Sequence, residues 1–191
     1  LKTGEGQVVD SAMVDGALSL MSFFYSLKEM GHWEDERESN LLDGFAHFYD
    51  TYECSDNKYI AVGSIEPEFY KELLVKLEID DEIFKDQHNK DLWPELKEKM
   101  SSKIKLKSSS EWVEIFSGSD ACVSPVLSME EAQTHPHNVS RKAFTNIEGF
   151  NQPNASPRYS KTKPEIMHNA KEVGVDLDDI CNEFNLSREA F

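Results

Sequence analysis

Cysteine is scarce in this chain and badly placed for cross-linking: Cys54, Cys122 and Cys181 are odd in number and far apart. That pattern excludes a disulfide framework and fits reduced thiols inside a cell, and none of the three has metal-ligand spacing. Basic residues are short as well. Lys and Arg total 20 against 36 Asp and Glu, a formal net charge of −16, which argues against nucleic acid or an anionic membrane surface as partner. Long uncharged apolar runs are absent. The most hydrophobic stretch, 11–30, carries Asp15, Lys28 and Glu29, so it reads as a buried core helix and not as a membrane span. There is no internal repeat. No secretory signal opens the chain, which starts at Leu1 and not at a methionine.

What is present is ordinary for a globular protein: 191 residues, 39% hydrophobic and 29% charged, enough to bury a core and too apolar for disorder. The informative stretch is the first. Gly4, Gly6 and the run Gln7-Val8-Val9 read as a turn delivering a short strand. Asp10-Ser11 then read as the cap of a helix running from about Ser11 to Met30. Helix N-termini gather backbone N–H groups and a partial positive charge, so a carboxylate there stays ionised and a nearby oxyanion is stabilised. On local sequence alone, Asp10 is an ordinary N-cap. The helix it opens is apolar on most sides, through Met13, Val14, Ala17, Leu18, Met21, Phe24 and Leu27, and is expected to pack between other elements.

A polar stretch from Gly31 to Asn40 reads as an exit loop. The period then becomes strand-like in Tyr49–Cys54 and Tyr59–Gly63 around Ser55-Asp56-Asn57-Lys58. This is a hairpin in which Asn57 takes the positive-φ position. Pro67 suits the first turn of a helix burying Phe69, Tyr70, Leu73, Leu74 and Leu77. Further helices are expected from about Leu92 to Met100 and from Glu111 to Phe116, the second with a Ser108–Glu111 capping box and a Gly118 stop. Cys122–Leu127 reads as an edge strand because of Pro125, and Ser128 with Glu131 forms a second capping box. The 149–164 stretch, with Pro153, Pro157 and Pro164, reads as a linker without secondary structure, followed by a helix over about Asp178–Phe184. His135-Pro136-His137 brings two imidazoles close in sequence, but the intervening proline and the lack of a partner cysteine or acidic cluster argue against a metal. Trp33, Trp93 and Trp112 read as core or interface anchors.

Six ordered segments carry a resemblance. They are Gly6–Gly16, Asn40–Gly44, Phe48–Cys54, Ala61–Tyr70, Leu92–Leu96 and Ser119–Leu127. In this order they resemble the family III CoA-transferases, the CaiB/BaiF group, and Trp93-Pro94-Glu95 favours the α-methylacyl-CoA racemase branch. The resemblance implies an α/β fold with the end of a Rossmann-like large domain over 1–35, a linker over 36–51 and a small α+β domain over 52–145. A proline-rich linker over 146–165 and a return to the large domain over 166–191 complete it. Two such chains interlock as a homodimer in that family.

The implied activity is racemisation of 2-methylacyl-CoA thioesters, in which one group removes the α-proton and another returns it on the opposite face of an enolate. The resemblance assigns Asp10 as one base and Glu95 as the residue that orients and stabilises charge on a histidine base. That histidine is expected upstream, so no histidine of this sequence inherits its role, and the chain is expected to be a C-terminal portion inactive by itself. In the transferase branch the aspartate at the Asp10 position is a nucleophile forming anhydride and thioester intermediates. The partners implied are an acyl-CoA substrate and a second copy. Coenzyme A belongs to the substrate, so no separate cofactor and no metal are expected, and the charge of −16 places the phosphate clamp outside these residues. An intracellular location is implied: cytoplasm in a bacterium, peroxisome or mitochondrion in a eukaryote. The chain departs from the family after Asp43-Gly44, where glycine and proline usually follow. Phe45 and His47 stand there instead, adding bulk and removing positive-φ freedom beside the acyl pocket.

Overall fold

Alternating polar and apolar residues make Tyr49–Glu53 (β1) and Tyr59–Gly63 (β2) an antiparallel hairpin in the computed structural model, which describes residues 4–188. The turn closes through Cys54 N–H to the Lys58 carbonyl at 2.7 Å, with Asn57 at φ 59°. Val123–Pro125 (β3) pairs antiparallel with β2 at the sheet edge, Pro125 opposite Ile60, where proline costs no ladder bond. Asp50, Tyr52, Ile60 and Val62 share one face through the register Asp50↔Val62 and Tyr52↔Ile60. Helices from the same unit cover that face. They are Pro67–Leu77 (α3), Trp93–Ile104 (α4) and Ser109–Phe116 (α5), bringing Tyr70, Leu73, Leu77, Trp93, Leu96, Met100, Ile104, Trp112 and Phe116 into one core.

Several starts and stops are local chemistry. Pro67 lies in the first turn of α3, the Ser108–Glu111 capping box starts α5, and Gly118 follows it at φ 71°. Buried indoles keep their donors satisfied: Trp93 Nε1 donates to the Gln87 carbonyl and Trp112 Nε1 to the Ile104 carbonyl, both at 2.7 Å. Each large apolar side chain fully buried in this core contributes on the order of 1.5–3 kcal/mol.

The first helix differs from its expectation in three ways. It is two helices, Met13–Leu20 (α1) and Ser22–Glu29 (α2), divided at Met21. Its N-cap is Ala12, without a side-chain cap, and residues 4–12 form no strand, so Asp10 precedes the cap and does not serve as it. Neither helix buries a residue, and Met13 and Leu20 are 92% and 82% exposed. Hydrophobicity demands a covering surface but does not supply one. The end of α2 is well made: Gly31 N–H bonds to the Lys28 carbonyl and His32 N–H to the Leu27 carbonyl, with Gly31 at φ 75°.

The chain divides into two units, one through Val126 and one from Leu127. The second contains Met129–Thr134 (α6, opened by the Ser128–Glu131 capping box), Pro136–Ser140 (α7), and Leu177–Phe184 (α8). It also holds a hairpin of Phe144–Ile147 (β4) and Phe150–Pro153 (β5). That hairpin enters a stretch expected to resist secondary structure. Glu148 at φ 53° and Gly149 at φ 90° form its two-residue turn, whose paired positive φ values suit the twist of the strands. Among the described residues no helix is long and apolar enough to cross a membrane.

Candidate active site

A cavity of about 490 Å³ lies against the three-stranded sheet of the first unit, between the 42–44 turn and strands β1, β2 and β3. Its walls are apolar or small at Leu42, Tyr49, Ala61 and Gly63, and its polar groups come from Asp43, Asp50, Cys122 and Ser124. Small residues on the sheet leave the room, and the turn beside them is fixed by hydrogen bonds. The Asp43 carboxylate accepts from the backbone N–H groups of Ser39, Asn40 and Phe45 and from Asn40 Nδ2. Burial alone would raise the Asp43 pKa, but these donors outweigh it and hold the carboxyl below its usual range. Buried Asn40 in turn brackets Glu34, accepting from its N–H at 2.7 Å and donating to its carbonyl at 3.0 Å. Gly44, at φ 92°, lets the chain leave this turn beside Asp50, and Lys97 Nζ ties the two together, donating to the Gly44 carbonyl at 2.6 Å and pairing with Asp50 Oδ2 at 2.5 Å.

Beneath the sheet, His47 is fully buried among Phe48, Tyr70 and Phe84, whose rings meet it edge-on. Tyr70 donates its hydroxyl proton to the Phe84 carbonyl at 3.1 Å, so His47 Nε2 is assigned as the donor in the 2.7 Å contact with Tyr70. Nδ1 is then an unprotonated nitrogen without a partner. Burial, with a smaller effect of His88, pushes the His47 pKa down to about 3, so this imidazole is neutral. Burial also raises the Tyr70 and Tyr52 hydroxyls, leaving both as neutral donors, Tyr52 to the His47 carbonyl.

The two residues singled out by resemblance are not brought together among the described residues. Asp10 is exposed, precedes α1 by three residues and makes no hydrogen bond or ion pair among the described residues. Glu95 is exposed in the first turn of α4, 3.5 Å from Lys99 Nζ, which makes a shorter 2.6 Å pair with Asp81. Neither lines the cavity above. The setting expected for Asp10, a carboxylate where a strand feeds a helix N-terminus, is realised at Glu66: β2 ends at Gly63, Glu66 is the N-cap residue of α3, and Pro67 follows. The signal was legible in Ser64-Ile65-Glu66-Pro67. Glu66 also acts on Cys122, whose thiol is pushed up by burial and by the Glu66 and Asp120 charges, so Cys122 stays a thiol and not a nucleophilic thiolate. Among the described residues no group of three or more His, Cys, Asp or Glu side chains is placed to hold a metal ion.

Residues 1–176 match the family described as CoA-transferase family III. The chain is 40% identical over 98% of its length to proteins named alpha-methylacyl-CoA racemase from Mus musculus and Homo sapiens, and it covers 50% of each. It therefore spans about half the length of the curated relatives it matches. In fold it is similar to a CaiB/BaiF family protein from Brucella suis, with a TM-score of 0.65 and 17% identity over 95% of this chain and 49% of that one.

Proposed function

Because this chain belongs to CoA-transferase family III, we propose that it is part of an isomerase that epimerises 2-methylacyl-CoA thioesters by removing and returning the proton next to the thioester carbonyl. The observation that carries this reading is the 40% identity to the mouse and human racemases along nearly the whole chain. The reaction needs a carboxylate or imidazole near the α-carbon, a second proton donor on the opposite face, and donors aimed at the enolate oxygen.

Asp10 is the base in this reading, and Glu95 orients and stabilises charge on the second base, a histidine that is not one of the six in this sequence. By itself the 191-residue chain is then expected to lack full activity, and sustained racemisation by the chain alone would contradict that assignment. The reaction class and the residue roles are tested separately. Measured in a protein that also carries the second base, exchange of the C2 hydrogen of a 2-methylacyl-CoA for deuterium, with no acceptor present, supports the racemase. With Asp10 as base, Asp10→Asn reduces exchange by about two orders of magnitude or more, and Glu95→Gln reduces it less. If both variants exchange at the unsubstituted rate while Glu66→Gln does not, the carboxylate role moves to Glu66.

A second reading follows from the transferase name of the family itself. Here the Asp10 carboxylate attacks the acyl-CoA carbonyl, giving a mixed anhydride and CoA thiolate, and CoA thiolate next attacks the Asp10 carbonyl to form an enzyme thioester and release the acid. Trapping of Asp10 by hydroxylamine during turnover supports this reading and excludes the first as the sole chemistry.

A further inference from the structure

The second unit carries a concentration of positive charge that its composition does not prepare one for. Arg141, Lys142, Arg158 and Lys163 line a single small cavity of about 250 Å³ together with Asn154 and Tyr159. In a chain of net charge −16, cations elsewhere are largely consumed by neighbours, as in Lys97–Asp50, Lys99–Asp81, Lys103–Glu78 and Lys105–Glu53. Among the described residues none of these four has a carboxylate partner within 4.0 Å, and no Asp or Glu lines the cavity. Like charges held together without counter-charge repel one another, so such a cluster calls for an anion.

The backbone builds this arrangement. Lys142, at φ 50°, turns the chain from α7 into β4, and Asn154 N–H bonds to the Ala143 carbonyl where β5 ends. The Lys142 carbonyl then accepts from both Asn154 Nδ2 at 3.2 Å and Arg158 Nη2 at 3.3 Å. These bonds bring the two basic segments, 141–142 and 158–163, to one place, and Arg158 keeps further N–H donors beyond the one it uses.

We propose that this cavity is a binding site for a phosphoryl or diphosphoryl group. Guanidinium forks match phosphate oxygens bidentately and lysines add point charge. The volume is smaller than that of cavities holding whole small-molecule ligands and suits a phosphate or diphosphate with its water. The site departs from the expectation, drawn from the charge of −16, that the phosphate clamp lies outside these residues, and on the acyl-CoA reading, on which this further identification rests, it would meet the coenzyme's phosphates. Screening limits the repulsion of carboxylates outside the site to about 8 Å in physiological salt, and none of the residues that line the cavity is acidic. The phosphate source is then the coenzyme end of the thioester substrate or free inorganic phosphate.

The experiment is a titration of the isotopically labelled chain with pyrophosphate, coenzyme A and 3′-dephospho-coenzyme A, followed by amide NMR. Shifts are expected to cluster in 141–163, and affinity should fall about tenfold or more in an Arg158→Gln/Lys163→Gln double variant, given the strength of charge-assisted bonds. Lys103→Gln, a paired lysine in the other unit, should leave the affinity unchanged, and circular dichroism of each variant confirms folding. Competition between coenzyme A and pyrophosphate for the same amides identifies the coenzyme as the source, whereas shifts from pyrophosphate alone identify free phosphate. No shift at 141–163 with any of the three, or shifts unchanged in the double variant, would overturn the site. Deuterium exchange is read independently: exchange without binding here removes only this site, and because the chain alone is expected to lack full activity, binding here stands whether or not the chain exchanges.

Discussion

At the scale of single residues, the most consequential choices are polar groups placed where water cannot reach. His47 is held neutral with its pKa near 3, against 6.5 for the free side chain, so the unfolded chain takes up a proton between those values that the folded chain refuses. Stability is therefore complete above about pH 6.5 and falls as the pH drops toward 3, by about 2 kcal/mol between pH 7 and pH 5. Urea melts at those two pH values should show this loss and His47→Gln should remove it, whereas Asp43, held below its ordinary value of 3.8, adds its own loss only at pH values under that. Asn40 is the second such choice. Its side chain serves both backbone groups of Glu34 and the Asp43 carboxylate, so Asn40→Ala leaves buried partners unsatisfied and should cost about 1–3 kcal/mol, measured as a lowered urea midpoint at unchanged slope. A full-strength Asn40→Ala variant would mean that water replaces the amide at that turn.

At the scale of elements, boundaries set by local chemistry were legible and placements set by partners were not. The hairpin with Asn57 at its turn, Pro67 opening α3 and the two capping boxes all stand where the sequence puts them, because each is decided by residues within a turn of one another. Ser108→Ala should accordingly cost about 1 kcal/mol, read from a thermal melt. The β4–β5 hairpin was missed because the prolines around it read as a linker, while the deciding residues were Glu148 and Gly149, whose turn conformation composition does not announce. The Asp10 setting failed for a related reason. Strand, cap and helix were inferred from a ten-residue run, yet the same arrangement formed at Glu66, where β2 has β1 and β3 as neighbours to hold it straight. Gly44 shows how an element end can serve a site: at φ 92°, with Asp50 Oδ1 only 3.4 Å from where a Cβ would lie, Gly44→Ala should destabilise the turn by about 1–2 kcal/mol. It should also disturb the Lys97 contacts that shape the cavity, an effect visible as altered shifts of Thr51 and Ala61.

At the scale of the whole molecule, the described chain buries one face of its sheet thoroughly and leaves the first two helices uncovered. Phe48, Leu73, Leu96 and Trp112 are essentially inaccessible, whereas Met13, Val14, Leu18, Leu20, Phe23 and Met30 all remain exposed. Large apolar side chains left exposed along two successive helices mark an association surface. A net charge of −16 opposes association at low ionic strength but is screened as salt rises, so the apolar term gains with added salt while the repulsion fades. The 191-residue chain is therefore expected to self-associate through α1 and α2, more strongly at high salt than at low. Sedimentation velocity should show species heavier than 21.8 kDa growing with concentration, and Leu18→Ser/Phe23→Ser should return the chain to the monomer mass while leaving its melting of the β1–β2–β3 core unchanged. A monomer at every concentration and salt would mean that the two helices find cover within the chain itself.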